Sequence, residues 1–333
     1  MKIPYLAPHR LAFIALAAFV STISPVHAGP EKITGPSTHE NLAVYLIHGA
    51  NRVSGKTYLT LQEALAQKKA VVRETGNVNQ LSIENTSKDS DIYIQAGDIV
   101  KGGQQDRTLG TDLILESKSK VPIASFCVEQ GRWSKRGKES SQQFATTTDQ
   151  VASKELKLAV KYKKAQGEVW DKVAEAQSKL SSNVGTPVAA PQSTSSLQLT
   201  LENDRVKASA DSYLTALGKV ADDAPDAIGL AFAINGKVSA IDTYGSHDLF
   251  KKMWPKLLKA AAVEAVANLQ KGKIFESPAT ADVQSAISAA EAGKPSEEKV
   301  SKRVKAITRE STESVLFETR DKDVSIHRNL VAK

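Results

Sequence analysis

The sequence predicts an α+β protein: a mostly antiparallel N-terminal β module, a central long helix, and a C-terminal β-hairpin and helix unit packing back on it. Three observations predict this. Short β-rich runs, separated by Gly, Asn, Asp and Ser, recur between residues 42 and 129. Val169, Val173, Ala176 and Leu180 then recur at helical spacing. Last, the apolar runs GLAFAI and KVSAIDTY flank Asn235-Gly236. An Asn-Gly pair in that setting is the strongest short-range hairpin signal, because both central residues take positive φ.

The elements follow in order. Residues 1–28 read as a signal peptide: Lys2 and Arg10, a short apolar core at 11–20, and the small-x-Ala site Val26-His27-Ala28. That core is shorter than the roughly 20 apolar residues a membrane span requires. Residues 29–40 are expected to be loose. The β-rich module covers 41–133, with strands at 42–49, 70–75, 79–85, 91–95, 112–117 and 121–129. Thr60-Leu61-Gln62-Glu63 is a capping box that starts a short helix over 61–69.

Residues 134–150 are polar and basic and are expected to form an exposed loop. The long helix spans 151–182, with Gly167 as its expected break, and the Pro- and Ser-rich segment 183–196 is a linker. The remainder, 197–333, holds a helix near 204–220, the hairpin, and a helix capped by Ser246 with Asp248 in its first turn. Leu249, Phe250, Met253, Trp254, Leu257, Leu258 and Ala261 form one apolar face of that helix, and Pro255 is expected to kink or restart it. A further helix is expected over 279–293. The charged segment 297–310 is expected to be flexible, and 314–320 is the last strand.

The chain has 333 residues, 44 Lys+Arg and 37 Asp+Glu. Loss of 1–28 removes two basic residues and leaves a net charge of +5. So mild an excess, with 5% aromatic residues, does not describe a nucleic-acid surface. After the leader no segment is apolar enough to span a membrane, so the expected location is periplasmic or secreted. Cys127 is the one cysteine and sits in the apolar run VPIASFCVE, which predicts a buried, inert thiol.

Several motifs lead nowhere. Residues 50–57, ANRVSGKT, match a loose phosphate-loop pattern, but the next helix signal is the capping box at Thr60, so Lys56 and Thr57 do not open a helix. His39, His48, His247 and His327 are far apart, with no paired cysteine, and predict no metal site. No Gly-x-Ser-x-Gly elbow is present. No cofactor is expected.

The polar turns differ. Gln104, Gln105, Asp106 and Arg107 follow Gly102-Gly103, and Glu129, Arg132 and Trp133 follow the Cys127 strand. If the strands pair, both clusters lie at one end of a sheet. Guanidinium forks suit carboxylate or phosphate, and Trp offers a stacking face. The alternative is a salt-bridge network that only fixes turns.

These residues also carry a resemblance. GDIVKGGQQDR (97–107), CVEQGRW (127–133), QGEVWDKV (166–173) and FAINGKVSAIDTYGSHDLFKKMWPKLL (232–258), preceded by YLTLQEAL (58–65), resemble the ARG and rhodanese-phosphatase-superfamily-associated protein domain. Asp106 stands where that family's run has Asn. The resemblance implies an association with ADP-ribose- or nucleotide-linked systems and supplies no catalytic residues. Two readings of function stay open beside a purely structural scaffold. One is a binding module for an unidentified small molecule or protein, using Gln105, Arg107, Glu129, Arg132 and Trp133. The other is a hydrolase of a nucleotide- or sugar-phosphate-like substrate, with Asp106 or Glu129 as general base and Arg107 or Arg132 as anion clamp.

Overall fold

A computed structural model describes residues 31–333 except Ser54. The expected signal peptide lies outside the described residues. The chain opens with β1 (Lys32–His39) and β2 (Leu42–His48). Next come β3 (Leu59–Thr60), α1 (Leu61–Ala66), β4 (Ala70–Glu74), β5 (Gln80–Asn85) and β6 (Ile92–Ile94). β7 (Asp98–Gly102), β8 (Arg107–Leu109), β9 (Leu113–Leu115), β10 (Lys120–Cys127) and β11 (Phe144–Gln150) follow. The helical segment is α2 (Lys154–Leu158), a π-helical turn at Ala159–Lys163, α3 (Gln166–Val184), α4 (Leu197–Leu201) and α5 (Asp204–Leu217). The hairpin β12 (Ala227–Ile234) and β13 (Lys237–Tyr244) leads to α6 (His247–Ala267) and α7 (Thr280–Glu291). β14 (Lys294–Lys299), β15 (Val304–Glu310), β16 (Ser314–Asp321) and β17 (Val324–Ala332) end the chain.

The fold is α+β, built on an eight-stranded antiparallel sheet ordered β1-β2-β12-β13-β17-β16-β15-β14. A six-stranded sheet, β11-β7-β8-β10-β5-β4, and a three-stranded one, β3-β6-β9, accompany it. Period-2 alternation sorts β2 between two cores. Leu42, Val44 and Leu46 pack with α3, α5 and α6. Ala43, Tyr45 and Ile47 pack on the other face with Val283, Ile287 and Ala290 of α7. A third cluster, with Val72, Ile83, Ile94 and Leu109, fills the smaller sheets.

Several expectations need correction. Segment 32–39, expected loose, is β1, held by antiparallel pairing to β2. β2 itself belongs to the large sheet beside β12, so the β-rich module 41–133 is not self-contained. Segment 134–150 ends in β11, which pairs with β7. The long helix breaks at Lys164, a left-handed residue after the π turn, while Gly167 lies inside α3. Segment 297–310 is not flexible chain: it supplies most of the hairpin β14–β15, paired through Lys299↔Lys305. β16 is not the last strand, since β17 inserts between it and β13. α6 runs through Pro255 as one helix; Pro255 faces solvent, where water can donate to the freed carbonyl.

A buried polar junction ties the three-stranded sheet to the large one. His327 on β17 is 1% exposed. Its Nδ1 lies 2.6 Å from Asp112 and its Nε2 2.9 Å from Asp242. An imidazole serving two carboxylate oxygens must carry both protons. Burial pushes the His327 pKa down, but the Asp112 and Asp242 carboxylates outweigh it and raise the value. Burial likewise opposes ionisation of Asp112, and His327, then Lys161, hold its carboxyl well below the usual carboxylate range. Tyr244 stacks on the imidazole at 4.6 Å.

Candidate functional site

Antiparallel pairing of β8 with β10 sets Arg107 opposite Cys127 and Thr108 opposite Phe126. That register brings the two polar turns to one end of the six-stranded sheet, where Val128 N donates to Asp106 O at 3.0 Å. Gly102 and Gly103 enter the first turn with φ +113° and +57°. Gly103 is also required for space: a Cβ there would sit 2.3 Å from Phe144 Cζ and 2.6 Å from Glu74 Oε1.

Strand alternation then sends Asp106 and Arg107 to different neighbours. Asp106 and Glu129 are fully buried. Arg132 Nε donates to Glu129 Oε1 at 2.7 Å and its terminal nitrogens to the carbonyls of Gly103 and Gly102. Arg136 grips Asp106 with both terminal nitrogens at 3.0 Å, and also reaches Glu129 at 3.2 Å and Glu139 at 3.0 Å. Ser196 Oγ and Gly102 N complete the Asp106 carboxylate at 2.8 and 2.9 Å, and Asp106 N donates to Glu129 Oε2 at 2.8 Å. Burial pushes the Glu129 pKa up, but the hydrogen bond and charge of Arg132, with the bonds from Ser193 and the Asp106 backbone, together outweigh it, and the carboxyl ends below its ordinary value. Burial also opposes the Arg136 charge, but its bonds to Asp106 prevail and push its pKa up.

The second group is Gln105, Arg107, Cys127 and Glu74. Arg107, 1% exposed, donates to Gln105 Oε1 at 3.0 Å and to Cys127 Sγ, and lies 3.6 Å from Glu74. Gln166 clasps the Cys127 backbone, accepting from its N–H at 2.8 Å and donating to its carbonyl at 2.9 Å. Burial pushes the Cys127 thiol up, Arg107 opposes this, and Glu74 adds to it, so the net shift is upward and the thiol is poorly nucleophilic. Gln105 Nε2, Arg107 Nε, Thr108 Oγ1 and Ser125 Oγ are buried here without a protein partner.

The expected residues thus meet, but in different states. Gln105, Asp106, Arg107 and Glu129 are interior, and Arg132 closes over them. Gln104 contributes its backbone, which donates to Glu74 Oε1 at 2.9 Å. Trp133 is 56% exposed. Sequence reasoning missed Glu74, Arg136 and Ser196. Glu74 ends a strand and Arg136 lies in a basic loop, and neither setting signals a buried partner. Ser196 did carry a signal: it caps α4, accepting from Leu199 N at 3.1 Å, and the same hydroxyl serves Asp106.

The phosphate-loop-like segment has other work. Arg52 N and Val53 N donate to the Gly245 carbonyl at 2.8 and 2.9 Å, so they are not aimed at an anion. The capping box at Thr60 forms as expected, with Glu63 N to Thr60 Oγ1 at 3.2 Å and Thr60 N to Glu63 Oε2 at 2.8 Å. Among the described residues no group of three or more His, Cys, Asp or Glu side chains is arranged to hold a metal, and no helix is long and apolar enough to cross a membrane.

A family model matches residues 31–331. No curated protein and no solved structure matches the chain. The match takes in both polar turns, the hairpin and the C-terminal strands, and the chain belongs to the family of the ARG and Rhodanese-Phosphatase-superfamily-associated Protein domain.

Proposed function

We propose that the protein is an exported binding module that presents Trp133 to a ligand or partner with an anionic face. One observation carries this reading: the indole is more than half exposed on a turn fastened from beneath by the Glu129–Arg132–Arg136–Asp106 network. A single exposed apolar side chain is ordinary. Among the described residues, however, Val78, Trp133, Ile274 and Val324 are the exposed large hydrophobics, and Trp133 is the aromatic one. A rigid aromatic anchor loses little freedom on association, which is why Trp dominates many interfaces. Exposed Lys135 and Lys138 flank it and suit an anionic partner. Gln105, Arg107, Asp106, Glu129 and Arg132 then act as the mount.

The hydrolase alternative asks Asp106 or Glu129 to take a proton during reaction. Both already accept charge-assisted bonds from guanidinium groups, and Glu129 is held below its ordinary carboxyl value. The geometry therefore favours binding. Iodide quenching of tryptophan emission tests it, because Trp254 is buried and Trp133 is the most accessible indole. Purified protein is mixed with fractions of a soluble envelope extract. A fraction that protects the quenchable emission of wild type, and not of Trp133→Ala, is the expected result. Unchanged quenching across all fractions would sink the reading.

A further inference from the structure

A second site lies on the outer face of the large sheet, beside α7. A cleft of about 730 Å³ opens there, a size typical of small-molecule sites. Four guanidinium groups line it, each from a different element: Arg52 from the loop after β2, Arg309 from β15, Arg320 from β16 and Arg328 from β17. Sheet register explains the gathering. Arg309 stands opposite Leu316, and Arg328 opposite Glu318, two residues further along β16 and on the same face. Leu316 and Val324 add apolar wall, and the carboxylates Glu291, Glu318 and Asp323 line the cleft as well, leaving one positive charge in excess.

We propose that this cleft binds a small ligand carrying two or more phosphate groups. The donor count supports it. A guanidinium has five N–H donors. Arg320 gives one to Glu318 at 2.8 Å, Arg328 one to Glu291, and Arg52 one to Glu31. These carboxylates hold the side chains in place and leave most donors unused. Arg309 takes part in none of the ion pairs among the described residues, although it is only partly exposed. Guanidinium forks match phosphate oxygens in pairs, and four of them from separate elements suit separated charges on one ligand better than a single anion. The phosphate-loop-like segment lines the cleft with Ala50, Asn51 and Arg52, while its Arg52 and Val53 N–H groups are engaged by the Gly245 carbonyl. The cleft shares no lining residue with the Trp133 turn, so this inference stands independently of the function proposed above.

Calorimetric titration of the purified protein at physiological salt is the test. Inorganic pyrophosphate supplies adjacent charges, a hexose bisphosphate supplies separated ones, and citrate is the carboxylate comparison. Arg309→Ala and Arg309→Glu remove the unpaired guanidinium without breaking an ion pair, and a thermal melt confirms that each variant folds. The expected result is saturable binding of at least one phosphate ligand, weaker by tenfold or more in R309A and absent in R309E. The proposal is overturned if neither phosphate binds wild type, if citrate binds as tightly as the phosphates, or if R309E binds like wild type.

Discussion

Arg136 donates to Asp106, Glu129 and Glu139 at once, from a segment that reads as exposed loop. Removing it leaves two buried carboxylates short of their counter-charge. Breaking a buried pair from one side typically costs about 3–5 kcal/mol. Arg136→Ala is expected to lose that order of stability in urea unfolding, and a loss below about 1 kcal/mol would show the network to be solvated. Gly103 and Gly137 allow a finer comparison. Both have positive φ, +57° and +54°, but a Cβ at Gly137 meets nothing within 4 Å. Gly137→Ala should cost about 1 kcal/mol for backbone strain, and Gly103→Ala a further ~1–3 kcal/mol for overlap with Phe144. Trp133→Ala should stay within about 0.5 kcal/mol of wild type, as surface substitutions do. Gln105, Asp106, Arg107 and Glu129 were legible in the sequence as polar-turn residues. Their burial was not, because depth depends on partners such as Glu74 and Ser196 that lie far away along the chain.

Elements with local causes were readable before the fold was known. The Asn235-Gly236 hairpin, the Thr60 capping box and the Ser246 cap each depend on neighbours within a few residues. Strands that depend on distant partners were not readable. β11 and β15 are polar, and β14 is exposed at every residue, as edge strands often are. The His327 junction is such a long-range link, and it predicts a pH response. His327 is raised in the fold, so its contribution is complete below the unfolded value of about 6.5 and is lost as pH rises through the folded value. Asp112 is lowered, so its contribution is complete above about 3.9 and is lost as pH falls through the folded value. Unfolding midpoints should therefore form a plateau between these limits and fall on the alkaline side. A midpoint that rises from pH 6 to 9 would contradict the doubly paired imidazolium.

At the scale of the molecule, the large sheet is assembled from both ends of the chain, with β2 beside β12 and β17 between β13 and β16. Period-2 patterns gave strands but not this order, since the sequence carries no signal for which distant edges meet. Removing residues 324–333 should abolish cooperative unfolding, because it opens two central edges; a truncated chain with a normal transition would refute the central place of β17. The same assembly holds the six-stranded sheet whose end carries the paired turns, which in the proposed reading form a rigid mount for Trp133. The most direct check is the affinity of wild type and Trp133→Ala for whatever species the envelope extract yields, measured beside their melting temperatures. A tenfold or greater loss of affinity at an unchanged melting temperature is expected. Equal affinity in the two proteins would contradict it.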